Sequence, residues 1–130
     1  MKVLLLIFVI GVVAPGSCKD SGPRHDEEHD IAQLNAMETA ILQMIGDASC
    51  RDSTDCRYIA FGDKPCGGPW GYLVYSVSSV DSVALARAVA DYNAFNAELN
   101  RRYGWISTCD IPPPPVLGCI DGKCTAVDHK

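Results

Sequence analysis

Histidine is scarce in this 130-residue sequence, and the three histidines lie near its two ends. His25 and His29 come early, His129 is the second-last residue, and none lies between them. Catalytic Ser-His-Asp and Cys-His groups need a histidine inside the fold. Glu98 is the only glutamate between residues 47 and 127, and the spacing of the aspartates indicates no paired carboxylates. The sequence therefore predicts a protein that is not an enzyme.

Positive charge is also in short supply. The chain has 11 Lys plus Arg against 16 Asp plus Glu, and Arg101-Arg102 is its only adjacent basic pair. Nucleic acids and anionic lipids both attract clustered positive charge, so neither is expected as a partner. His25 and His29, four residues apart, could share a metal on a helix. Their dense acidic surroundings instead indicate a solvated segment, and we predict no metal or cofactor.

Only one long apolar run is present. VLLLIFVIGVV, residues 3–13, follows Lys2 and precedes a few small residues. The run is shorter than the about 20 apolar residues of a membrane-spanning helix, and its flanks are typical of an export signal. We therefore predict a signal peptide at residues 1–17 and a polar tether at residues 18–29.

Cys18 stands directly after this signal, and two outcomes are open for it. The end of APGSC resembles a lipoprotein box, in which the cysteine becomes the lipidated first residue, although Pro15 departs from that motif. Cleavage after Gly16 or Ser17 would instead leave an ordinary cysteine in a secreted protein. The odd number of cysteines favours the lipid, because seven leave one thiol over and six can all pair. Contact with a membrane is expected through this anchor alone.

The other six cysteines predict three disulfides in an oxidising compartment. They are Cys50, Cys56, Cys66, Cys109, Cys119 and Cys124. Asp121-Gly122 is a strong two-residue hairpin signal, and it would place Cys119 opposite Cys124 at a distance that accepts a bridge. The alternative is that both of these cysteines reach back to earlier ones, and the sequence does not choose.

Two amphipathic helices are predicted from apolar residues that recur every three or four positions. The first covers 30–46, with Asp30 as its N-cap, and the second covers 81–104, with Asp81 as its N-cap. Gly46 and Gly104 suit the two helix ends.

Runs of aromatic and β-branched residues predict four strands, at 57–62, 72–77, 116–120 and 123–127. IPPPPV, before the third strand, is interpreted as a stiff spacer. The order helix-strand-strand-helix-strand-strand predicts one disulfide-stapled α+β domain over residues 30–127, with a small antiparallel sheet.

CGGPWGY, residues 66–72, is the candidate site. Gly67 and Gly68 allow unusual backbone angles, and Pro69, which follows them, has a fixed φ angle. The segment is therefore interpreted first as a rigid corner. The same rigidity suits binding, because a fixed loop that presents Lys64 and Trp70 loses little entropy on contact. The predicted binding residues are therefore Lys64, Gly67, Gly68 and Trp70.

Residues 48–126 resemble a group of small uncharacterised bacterial envelope proteins and lipoproteins. The resemblance rests on C-x5-C at Cys50–Cys56, K-x-C-G-G-P-x-x-Y from Lys64 to Tyr72, and GCIDGKC before Thr125. It implies an envelope location and disulfides, and it implies no activity. We expect an exported binding or structural module, periplasmic or at the surface, that contacts an envelope or extracellular protein. A secreted inhibitor of proteases or other hydrolases is the alternative, and an enzyme comes third.

Lipidation of Cys18 can be tested directly on the exported chain. We expect mass spectrometry of the mature N-terminus to find Cys18 as the first residue, carrying acyl chains. An unmodified N-terminus at Ser17 or Cys18 would contradict lipidation and would leave export standing.

Overall fold

The computed structural model describes residues 23–127, with side chains from residue 26 onward. The signal peptide, Cys18 and the first part of the tether lie outside these residues. The predicted α+β fold and its element order are confirmed. The helices are α1 (Pro23–Ile45) and α2 (Ser82–Tyr103), and the strands are β1 (Cys56–Phe61), β2 (Gly71–Ser76), β3 (Val116–Ile120) and β4 (Lys123–Val127).

Helix α1 begins seven residues earlier than predicted, so 23–29 are helical rather than part of a tether. Asp30 lies inside the helix and is not its N-cap. Its carboxylate accepts a hydrogen bond from the Tyr103 hydroxyl at 2.7 Å, which lowers the pKa of Asp30. Trp105 Nε1 donates to the Glu27 carboxylate at 2.9 Å. These contacts with residues far along the chain fix the charged first turns of α1. The local sequence does not predict them, because their partners lie more than 70 residues away.

The two helices form the core, and they run antiparallel because the start of α1 meets the end of α2. Helix α2 has the predicted ends: the Asp81 side chain caps its first turn, and Gly104, at φ 64°, stops it. Within residues 23–127 neither helix combines the length and the apolar character needed to cross a membrane. The buried apolar residues of the helices are Leu34, Ile41, Ile45, Leu85, Val89, Tyr92 and Leu99.

The four strands form two separate antiparallel hairpins, where the sequence predicted one sheet. Hairpin β1–β2 covers α2, and the ring of Phe61 stacks on that of Tyr92 with 4.2 Å between centroids. Hairpin β3–β4 turns at Asp121 and Gly122, whose φ angles of 52° and 75° suit the predicted two-residue turn.

Residues 23–127 contain three disulfides, and their pairing corrects one prediction. The pairs are Cys50–Cys119, Cys56–Cys124 and Cys66–Cys109. Cys119 and Cys124 do stand opposite each other in the β3–β4 register, as predicted, but they do not bond to each other.

The backbone around residue 49 explains this pairing. Cys50 N donates to Gly122 O at 2.8 Å, and Cys124 N donates to Ala48 O at 2.9 Å. The chain before β1 therefore runs along the edge of β4, where Cys50 and Cys56 reach the two hairpin cysteines. These bridges span 69 and 68 residues, and closing long loops restricts the unfolded chain most.

Asp55 holds the short loop between Cys50 and Cys56 in shape. Its buried carboxylate accepts hydrogen bonds from the Arg51 guanidinium at 2.9 and 3.1 Å and from Arg51 N at 3.0 Å. These bonds lower the pKa of Asp55 from 3.8 to about 2. The loop therefore presents both cysteines to the last hairpin in a defined geometry.

The disulfide pairing can be checked by peptide mapping without reduction. Digestion with trypsin and endoproteinase Asp-N cuts after Lys123 and before Asp110, so all six cysteines fall on separate peptides. We expect the three linked pairs described above. A peptide pair joined through Cys119 and Cys124 would contradict them.

Candidate functional site

Loop 62–70 connects β1 to β2 and contains most of the CGGPWGY segment. Trp70 N donates to Phe61 O at 3.0 Å and closes the base of the loop. Inside it, Gly67 N donates to Lys64 O and Lys64 N donates to Gly68 O, both at 2.8 Å. Gly67 and Gly68 have φ angles of 97° and 84°, which only glycine adopts without strain. The predicted rigid corner is therefore present, and its backbone is fixed by its own hydrogen bonds.

A second segment, residues 105–111, lies against this loop. The Cys66–Cys109 disulfide joins the two, and Cys66 N donates to Ser107 Oγ at 3.2 Å. Gly68 touches Ile111 so closely that an added Cβ would come within 3.2 Å of Ile111 Cγ1. We call loop 62–70 and residues 105–111 together the stapled end of the molecule.

Three asparagines of α2 form hydrogen bonds with the backbone of loop 62–70. Gly62 N donates to Asn93 Oδ1 at 2.7 Å and Asp63 N donates to Asn96 Oδ1 at 2.8 Å. Asn100 Nδ2 donates to Asp63 O at 2.7 Å. The asparagine side chains form the hydrogen bonds that a neighbouring strand would form with the backbone in a sheet. Buried backbone groups need such hydrogen-bond partners.

These asparagines were not predicted from the sequence, although the sequence holds a signal for them. Asn93, Asn96 and Asn100 recur at helical spacing beside the apolar stripe of α2. Asparagine is a poor helix former that often bonds to backbone groups, so three of them on one helix face indicate contact with an irregular segment.

Lys64 lies inside the stapled end, and the prediction that it is presented at the surface is wrong. Its side chain is only 4% exposed. Nζ donates to Asp110 O at 2.7 Å, to Asp110 Oδ1 at 3.2 Å and to Thr108 Oγ1 at 3.4 Å. It also lies 5.3 Å from the centre of the Trp70 ring. A buried ammonium needs such partners, and here they connect the two segments.

The Asp110 carboxylate responds to this arrangement. Hydrogen bonds from Thr108 and then from the Lys64 ammonium lower the pKa of Asp110. The positive charge of Lys64 is thereby balanced within the stapled end, and it is not available to attract an anion.

Trp70 projects from the stapled end, as a contact residue requires. It is 51% exposed, while one edge of the indole packs on the backbone of Gly62. A Cβ added at Gly62 would come within 2.5 Å of Trp70 Cδ1, so only glycine fits beneath the ring. Ile106 and Ile111 of the same end are 91% and 63% exposed. This surface can therefore make apolar contacts with a partner, from side chains on a fixed backbone.

Two other places in the described residues have some features of a binding site. A groove of about 200 Å³ between the helices is lined by Met37, Ala40, Ile41, Ala88 and Asp91. It is smaller than the roughly 300–1,000 Å³ of usual ligand pockets. The sulfur atoms of Cys50, Cys56 and Cys124 lie within 4.8 Å of one another, but disulfide sulfur is not the thiolate that a metal needs. His29 is exposed on α1.

The internal role of Lys64 predicts a stability effect. Lys64→Met keeps the apolar stem and removes the ammonium, so Asp110 O and Thr108 lose their donor. We expect the free energy of unfolding in urea to fall by about 1–3 kcal/mol. Lys123→Met, at an exposed lysine of β4, is the matched control and should change it by less than about 0.5 kcal/mol. Equal effects of the two substitutions would show that Lys64 is not an internal connector.

Comparisons with known proteins add no relative to this site. No protein-family model, no curated protein and no solved structure matches the chain. The geometry of the stapled end is therefore the basis for assigning a function to this chain.

Proposed function

We propose that this chain is an exported, non-enzymatic binding module of the cell envelope, and that its contact surface is the stapled end. The observation that carries the proposal is the half-exposed indole of Trp70 on a backbone that cannot easily move. Tryptophan is enriched at the few interface positions that contribute most binding energy.

Rigidity is the second support for this proposal. Loop 62–70 is held by the Cys66–Cys109 disulfide, by the asparagines of α2 and by the buried Lys64. Ordering a loop on binding costs free energy, and here the folded domain has already ordered it. A loop that only connected two strands would not need this length or these contacts, because a turn between two strands can be two residues long.

The location follows in two steps. Three disulfides indicate an oxidising environment, extracellular or in the envelope. The finer proposal is that a lipid on Cys18 holds the domain to a membrane. It is supported by the apolar run before Cys18 and by the arithmetic of seven cysteines, six of which pair with one another.

A secreted inhibitor of proteases is the competing proposal, and it also explains a rigid exposed loop. Lys64 is the only basic residue of loop 62–70, and Pro65 directly after it already makes it an awkward specificity residue. With that side chain buried, an inhibitor would have to use Trp70 or one of the exposed isoleucines, and this weakens the proposal.

Capture of envelope components by the purified domain tests the contact surface. We expect Trp70→Ala to reduce the capture of a specific partner by about tenfold or more, because truncation of a central aromatic often costs about 2 kcal/mol. The control is Ile120→Ala, since Ile120 is equally exposed on hairpin β3–β4, outside the stapled end.

Two results would redirect this proposal. A partner retained at full strength by Trp70→Ala would move the site away from the stapled end. A captured protease that the domain inhibits would favour the inhibitor.

A further inference from the structure

The start of helix α1 lies at the stapled end. Glu27, in the first turns of α1, accepts a hydrogen bond from Trp105 at 2.9 Å. Ile106 is the next residue, and Ser107 after it accepts a hydrogen bond from Cys66 N. The chain therefore enters the domain beside the loop that carries Trp70, and not at the far end of the helices.

The distance from Cys18 to this entry point is short. Four residues, 19–22, separate Cys18 from Pro23, where α1 begins, and the five Cα-to-Cα steps span at most about 18 Å when fully extended. A lipid on Cys18 would thus hold the first residue of α1 within that distance of the membrane surface, with the stapled end beside the first turns of that helix. The opposite end of α2, a helix of 22 residues or about 33 Å, would face away from it.

The exposed side chains at this end suit a bilayer interface. Ile106 is 91% exposed, Ile111 is 63% exposed and Trp70 is 51% exposed. Tryptophan is enriched where membrane proteins meet the head groups, and apolar side chains on a surface strengthen interfacial binding with the area that they bury. The exposed charged side chains at this end have both signs: Asp26, Glu28, Asp110, Arg101 and Arg102. The small acidic excess gives anionic head groups no attraction, so a neutral bilayer is the better partner.

We propose that the stapled end docks on the membrane that carries its own lipid anchor, with Ile106, Ile111 and Trp70 inserted at the interface. This inference rests on the proposed function, because it names a neutral lipid bilayer as the partner of the same surface. A lipid on Cys18 attaches the domain to the membrane at one point only. A docked apolar surface adds a second contact and also fixes the orientation of the domain.

The experiment uses residues 18–130, which keep the described core and all three disulfides. Cys18, the seventh cysteine, is coupled through its thiol to a maleimide lipid in phosphatidylcholine vesicles, so the test does not depend on native lipidation. Tryptophan emission and its quenching by a nitroxide-labelled lipid are measured. Trp70→Phe identifies which of the two tryptophans responds.

We expect tethered protein to show a blue-shifted, quenched emission that Trp70→Phe removes. The double variant Ile106→Asn/Ile111→Asn should reduce the docked-to-undocked ratio by about tenfold per residue. Both isoleucines are exposed, so the fold should tolerate the change. Val83→Asn is the matched control, because Val83 is 79% exposed at the distal start of α2, and it should leave the ratio unchanged.

Emission and quenching equal to those of the untethered protein would overturn docking. Equal loss in the Val83→Asn control would overturn the assignment to the stapled end. If docking fails while Trp70→Ala still abolishes capture of an envelope protein, the surface belongs to that protein, and only the membrane inference falls.

Discussion

Two adjacent disulfides, Cys50–Cys119 and Cys56–Cys124, attach the last hairpin to the start of β1, and the architecture depends on them. The two hairpins form separate sheets, so no continuous ladder of backbone hydrogen bonds joins them. Few apolar residues of β3 and β4 are fully buried. Most of the buried apolar residues lie on the helices. Hairpin β3–β4 is therefore stabilised less by apolar burial than by the two disulfides.

The stapled end combines a buried charge with an exposed aromatic ring, which reverses the usual distribution of such side chains. Lys64 is turned inward because the Asp110 carbonyl, its carboxylate and the Thr108 hydroxyl converge on Nζ. Trp70 lies above it and stays half in solvent. The ammonium therefore serves as a connector between two segments, and the ring covers it while leaving an apolar surface open.

Polar contacts far apart in sequence define the same end of the domain. The asparagines of α2 hold loop 62–70, and Trp105 and Tyr103 hold the first turns of α1. Asn100 Oδ1 is buried without a hydrogen-bond partner in the described part of the chain. Because these contacts replace regular secondary structure, the end can be irregular in shape and still rigid.

Local rules in the sequence determined the second helix with its Asp81 and Gly104 caps, the Asp121-Gly122 turn, the strands and the rigid glycine corner. These features depend on neighbours within a few residues, which a sequence displays directly. Only the tertiary structure decided the disulfide partners, the early start of α1, the inward position of Lys64 and the exposure of Trp70. The first three depend on groups some 40 to 80 residues apart, and contacts at that range follow from how the elements pack.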